Sequence, residues 1–128
     1  RKAFKAAGGS KALGIKLCVG CWLEGGSDFG DLMSDIKELC DDDRILCVHF
    51  RNVDSPLPVF EEVLAEDGYA DMYAIMKQLV ACDCNAVISI DHGFKPIEGF
   101  GGMPGSFCYP TGFMKGLIYA AEKELGKR

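Results

Sequence analysis

Histidine is scarce in this sequence, with two in 128 residues, and there is a single tryptophan. No uninterrupted apolar run approaches the ~18 residues a membrane-spanning helix needs. Basic residues never cluster. The 14 lysines and arginines are scattered among 19 acidic residues, giving a net charge of −5, and a nucleic-acid partner is not expected, because phosphates demand grouped cations. Low-complexity tracts and Pro/Gly linkers are also missing, so one domain over residues 1–128 is expected. The start, RKAFKAAGGSK, is basic but has no apolar core, so no signal peptide is read. It opens on Arg1 rather than methionine, which suggests a fragment or a processed chain.

Cysteine is the exception, with seven. The number is odd, and Cys18 and Cys47 sit inside apolar runs. A secreted disulfide framework is usually even and loop-rich, so buried thiols in a reducing, cytoplasmic setting are expected. Cys18-x-x-Cys21 and Cys82-x-Cys84 together offer a four-thiol zinc site, although the second spacing departs from a zinc ribbon.

Apolar periodicity yields an alternating order. Residues 2–8 end a helix at Gly8-Gly9. Residues 14–19 read as a strand and 25–27 as loop. Asp28 is placed to cap a helix over about 29–40, with Phe29, Leu32, Met33, Ile36 and Leu39 at helical spacing. The run ILCVHF, 45–50, is almost continuously apolar, as suits a parallel strand covered on both faces. Pro56 and Pro58 interrupt regular structure. Asp71 caps a helix over about 72–82, AVISI (86–90) is a third strand, and a glycine-rich loop over 93–110 leads to a last helix from Thr111 to about 125. Within that loop GFGGMPG, 99–105, neither follows a strand nor opens a helix at once, so it is read as a mobile loop over a polar substrate and not as a dinucleotide fingerprint. Three strand–helix units in a row imply an α/β fold with parallel strands.

The polar residues at the strand ends then fall together. Cys18 ends the first strand, His49, Arg51 and Asn52 the second, Asp91 and His92 the third. In parallel α/β sheets the carboxyl edge is where ligands bind. A thiol, an imidazole and a carboxylate converging there form a donor set for a divalent transition metal. Each residue alone has a plainer reading: Cys18 as a small core residue, His49 as a hydrogen-bonded core histidine, Asp91 as a turn cap, Tyr109 as a packing residue at a helix start. Their coincidence at one edge favours a site.

VHFRNV (48–53), F-x-E (60–62), DGYADM (67–72), DHG (91–93), the glycine-rich loop, a tyrosine and a final helix, in this order, resemble the carboxyl-terminal part of the mannonate dehydratase family, and LCVG (17–20) resembles its cysteine-bearing strand. The resemblance implies a TIM barrel of the xylose isomerase-like superfamily, of which this chain carries the last three βα units, roughly a third. It implies a metal-dependent lyase of hexuronate catabolism that dehydrates D-mannonate to 2-keto-3-deoxy-D-gluconate, with Mn²⁺ as the usual metal and Fe²⁺ or Co²⁺ as others. By the same resemblance Cys18, His49 and Asp91 hold the metal, a further histidine coming from a strand this chain does not have. His92 and Tyr109 form the acid–base pair, and Arg51 and Asn52 face the substrate. The chain departs from the pattern at Glu61, where the family tends to carry histidine, and at Ile90, where it tends to carry proline. Three units leave open strands at both ends, so pairing with a second copy or with the remainder of a barrel is expected, and little activity alone. Two other readings stand beside this one: a sugar isomerase or epimerase of the same superfamily, with Glu61 as a carboxylate ligand or base, and a non-catalytic α/β association module with structural cysteines.

Overall fold

The computed structural model describes residues 2–93 and 102–127. After a short helix α1 (Lys2–Ala6), strand β1 (Ile15–Cys18) runs directly into helix α2 (Val19–Gly25), followed by a single 3-10 turn and helix α3 (Leu32–Asp41). Strand β2 (Ile45–His49) comes next, then two short strands β3 (Asn52–Val53) and β4 (Glu62–Val63), helix α4 (Met72–Ala81), strand β5 (Val87–Ser89) and the long helix α5 (Gly102–Glu124). The main sheet is parallel with order β1-β2-β5, and β3 pairs antiparallel with β4. The α/β fold with alternating helices expected from the sequence is therefore what the chain adopts.

The register positions the site. Leu17 pairs with Val48 and Val48 with Ile88, forming a row against the helices; one residue on, Cys18 pairs with His49 and His49 with Ser89. Side chains alternate across a strand, so this second row points away from the helical core, onto the same face as Lys16, Cys47 and Val87. That face is open: Lys16 is exposed, and Val87 is 70% exposed. The opposite face is closed by Leu17, Val19, Ile36, Val48, Met76 and Leu79, all with almost no exposure.

Arg44 sets the other end of the molecule. It is buried, and its guanidinium donates to the carbonyls of Gly9 (3.0 Å), Ser10 (2.6 Å) and Leu13 (2.9 Å) and pairs with Asp42 at 2.8 Å. Its cation also lies 4.7 Å from the centre of the Phe4 ring. One side chain thus holds the N-terminal segment against the start of β2.

Several boundaries differ from those expected. Residues 19–25 are helical, where Val19 was expected to end a strand, Gly25 to open a loop and 20–24 had no element assigned: Val19 and Leu23 turn into the core, a contact periodicity cannot show in seven residues. Asp31, not Asp28, caps α3, its carboxylate accepting from the Ser34 N–H at 3.1 Å. Phe29 consequently stays outside, edge-on to Trp22 with ring centres 5.0 Å apart. The Asp71 cap holds as expected, with the Ala74 N–H at 2.9 Å. The loop over 93–110 is shorter than expected. Residues 94–101 lie outside those described, but 102–110 are already helix. A proline normally ends a helix because it removes an N–H and clashes with the preceding turn, which is why a start at Thr111 was expected. Here Pro110 lies inside α5, buried, and packing overrides that preference. Among the described helices none is long and apolar enough to cross a membrane.

Candidate metal centre

Cys18 and His49 face each other across the β1–β2 pair, and Asp91 follows β5 by two residues, on the same face as Ser89. Parallel pairing alone therefore delivers three ligand-bearing side chains to one point. Each offers a donor atom, and the three donors lie within 4.8 Å of one another. His49 Nδ1 is 2.6 Å from Asp91 Oδ1, and the Cys18 thiol is 3.6 Å from Asp91 Oδ2. Nδ1 is buried, yet its approach to the carboxylate lacks the direction of a hydrogen bond, so it has no hydrogen-bond partner. An imidazole nitrogen, a thiol and a carboxylate converging on a common point are a donor set suited to a divalent ion. These residues fit a metal of that kind.

The surroundings are built around one arginine. The Arg51 guanidinium donates through Nε to Asp91 Oδ2 at 2.9 Å, lies 3.1 Å from Glu62 Oε1 and makes a close ion pair with Glu24. Three carboxylates on three different segments meet this cation: Glu24 from α2, Glu62 from β4 and Asp91 after β5. Gly20 makes the approach possible, because a Cβ at that position would stand 2.5 Å from the guanidinium carbon. Burial disfavours the Arg51 charge, but Glu24 and Asp91 outweigh it, with Glu62 adding to them, and its pKa is raised. Burial also works against ionisation of Asp91, and the hydrogen bond from Arg51 together with the His49 imidazole outweighs it, holding the carboxyl below its usual range. The Cys18 thiol goes the other way, pushed up to about 11 by burial and by its contact with Cys21. Ligation of such a thiol displaces its proton.

His92 stands at the rim, its side chain 58% exposed, with Nε2 3.0 Å from Glu62 Oε2. Glu62 thus bridges Arg51 and His92. Phe50, Ala65, Ile90 and Pro110 complete the small cleft around Arg51, Asp91 and His92.

The other residues named from sequence sit differently. Asn52 is fully buried (0%) and does not line the cleft: its amide donates to the carbonyls of Ala65 (2.8 Å) and Ala70 (3.1 Å), and its oxygen accepts from the Val53 N–H at 3.0 Å. It holds the 65–70 segment in place, which corrects the expectation that it faces a substrate. Arg51 lines the cleft, with its donors already serving carboxylates. Tyr109 lies in α5 and its hydroxyl donates to Glu66, while Pro110 beside it reaches the cleft. Glu61 is exposed, and it is Glu62 that enters the cluster. The four-thiol zinc reading fails on topology: Cys18 ends β1 and Cys21 lies just beyond it, whereas Cys82 and Cys84 precede β5, at the opposite edge of a parallel sheet. Glu24 and Glu62 were missed as members of the cluster. Glu62 had a signal in the F-x-E stretch, while Glu24 had none, because α2 was not recognised.

A parallel α/β sheet with a sulfur, nitrogen and oxygen donor set at its carboxyl edge defines a class, α/β proteins with a candidate metal centre at the ends of parallel strands. A family model described as D-mannonate dehydratase (UxuA) matches residues 2–124, and the chain belongs to that family. It is similar to the crystal structure of mannonate dehydratase from Streptococcus suis serotype 2, with a TM-score of 0.74 and 27% identity over 92% of this chain. The match covers 35% of that protein, so the chain spans about a third of its length. No curated protein matches the chain.

Proposed function

We propose that the chain contributes the carboxyl-terminal metal-binding segment of a mannonate dehydratase-type lyase, which converts D-mannonate to 2-keto-3-deoxy-D-gluconate. The convergence of Cys18, His49 and Asp91 within 4.8 Å carries this reading, because the same three positions were singled out by strand-end chemistry. The ion they would hold is divalent, with Mn²⁺ the first candidate and Fe²⁺ or Co²⁺ next. When bound, it would supply positive charge beside the substrate's carboxylate and so lower the energy of the enediolate that forms there.

Dehydration removes a proton from C2 and hydroxide from C3. His92 is the group of this chain placed for proton transfer: it is accessible at the rim, and Glu62 on Nε2 fixes its orientation. Arg51 keeps Asp91 ionised and aimed inward, and balances the negative charge of Glu24 and Glu62. The Tyr109 hydroxyl is committed to Glu66 and enters the cleft as an acid only by giving up that bond. The open face carrying Lys16 and Val87 is where the remainder of a barrel, or a second copy, would pack. The isomerase or epimerase reading gave Glu61 a role as ligand or base, but it is Glu62 that enters the cluster, so the dehydratase reading is preferred.

Cobalt titration followed by addition of D-mannonate tests the proposal without requiring turnover. Bound Co²⁺ shows thiolate-to-metal charge transfer, and D-mannonate changes the visible spectrum as its oxygens enter open coordination positions. A thiolate band that is absent, or a spectrum indifferent to D-mannonate while indifferent also to other sugar acids, contradicts it.

A further inference from the structure

Away from the metal centre, three cysteines gather at the opposite edge of the sheet. Cys40 lies in the last turn of α3, Cys82 caps the end of α4, and Cys84 leads into β5. They line one small cavity together with Asp43 and Asp83. The Cys40 thiol therefore shares this cavity with both other thiols.

The two helix exits are built alike, which explains the meeting. Each passes through a left-handed residue, Asp43 at φ 51° and Asp83 at φ 52°. The next N–H then returns to the helix, Arg44 to the Leu39 carbonyl at 2.8 Å and Cys84 to the Leu79 carbonyl at 3.0 Å. With α3 and α4 packed side by side, the first exit presents Cys40 from within its helix, and the second presents Cys84 just beyond its own. Cys82 is held toward α4, its sulfur accepting from the Gln78 amide at 3.4 Å. All three thiols are free and partly accessible.

We propose that Cys40 and Cys84 form a peroxide-responsive dithiol that closes into an intramolecular disulfide, joining the end of α3 to the entry of β5. The Cys84 thiolate attacks one oxygen of hydrogen peroxide. The O–O bond breaks, hydroxide leaves and takes up a proton as water, and Cys84 becomes a sulfenic acid. The Cys40 sulfur then attacks the Cys84 sulfur. The S–O bond breaks, and the departing hydroxide takes the Cys40 proton as a second water. Two thiols lose two electrons, and one peroxide is reduced to two waters. Burial, reinforced by the neighbouring thiols, pushes Cys40 up to about 12, so Cys40 remains protonated at neutral pH and acts as the resolving partner, not the one first oxidised.

The test uses the chain carrying Cys108→Ser, reduced, freed of reductant and exposed to one equivalent of hydrogen peroxide. Remaining thiols are capped with N-ethylmaleimide and the protein is digested with trypsin without reduction. Lys37 and Arg44 release Cys40 in peptide 38–44, whereas Cys82 and Cys84 lie in the peptide that begins at Gln78. The expected result is a monomer that has lost two thiols, with those peptides cross-linked and fragment ions placing the bond at Cys84. A further Cys40→Ser substitution removes the link. The proposal is overturned by a capped Cys40 when other thiols have been consumed, by a bond at Cys82, or by pairing of Cys82 with Cys84. The outcome does not depend on whether the metal centre binds an ion.

Discussion

Asn52→Ala separates two roles for a residue that adjoins Arg51 in sequence. In the structure Asn52 makes three hydrogen bonds inside the protein, two of them to the carbonyls of Ala65 and Ala70. A buried hydrogen bond contributes about 1 kcal/mol net, and carbonyls left without a donor add a desolvation penalty. Gly68 packs so tightly on Asn52 that a Cβ there would stand 2.1 Å from the amide carbon, so the cavity left by truncation has little flexible material to fill it. Together these give a loss of about 3 kcal/mol, or roughly 10 °C in the unfolding midpoint of a domain this size. Urea and thermal unfolding followed by circular dichroism measure both. Asn52→Asp keeps the shape but removes the two donors and buries a carboxyl, so it should be at least as damaging. Cobalt affinity measured well below the midpoint should change little, because Asn52 touches none of the three metal-binding side chains. A variant that melts within 2 °C of the parent while losing binding of D-mannonate would refute this assignment and restore Asn52 to the substrate face.

Other consequences follow from the same contacts. Gly20→Ala should displace Arg51, leave Asp91, Glu24 and Glu62 without their shared cation, and weaken metal binding at least tenfold in a competition titration; unchanged affinity would mean the arginine cluster is unconnected to the centre. Arg44→Met should release the N-terminal segment and cost about 3 kcal/mol, seen as rapid tryptic cleavage at Lys5 and Lys11 ahead of the rest of the chain. Asp54, held below its usual range by the Glu61 N–H and by Ser55, binds fewer protons folded than unfolded. Its stabilisation is therefore present above the ordinary aspartate pKa of about 4 and is lost as pH falls below it. Asp54→Asn should flatten that part of the stability–pH curve between about pH 5 and 2, and an unaltered acid limb would show that the carboxylate does not anchor the β3–β4 loop.

The parallel strands were legible because runs such as ILCVH are apolar almost throughout, and because helical spacing is clear in Leu32–Asp41 and Met72–Ala81. From the strands, the meeting of Cys18, His49 and Asp91 followed without any side-chain detail, since parallel pairing sends every carboxyl end to one edge. What could not be read came from contacts distant in sequence. Helix α2 is too short for periodicity to reveal, and with it Glu24 was hidden. Asn52 and Arg51 look equally polar in the sequence; only the return of residues 65–70 over β3 buries one and leaves the other among carboxylates. Pro110 misplaced the start of α5 because a local rule was applied where packing decides. The opposed positions of the Cys18/Cys21 and Cys82/Cys84 pairs were in principle available from strand direction, and spacing alone obscured them.

The central claim is that Cys18, His49 and Asp91 form one metal centre. It is tested most directly by equilibrium dialysis of the reduced chain against Co²⁺ with absorption spectra recorded on the same samples. One ion per chain with a thiolate charge-transfer band is expected, the band lost in Cys18→Ser and both band and ion lost in Asp91→Ala. No bound ion, or a bound ion whose spectrum is the same in Cys18→Ser as in the parent chain, would contradict it.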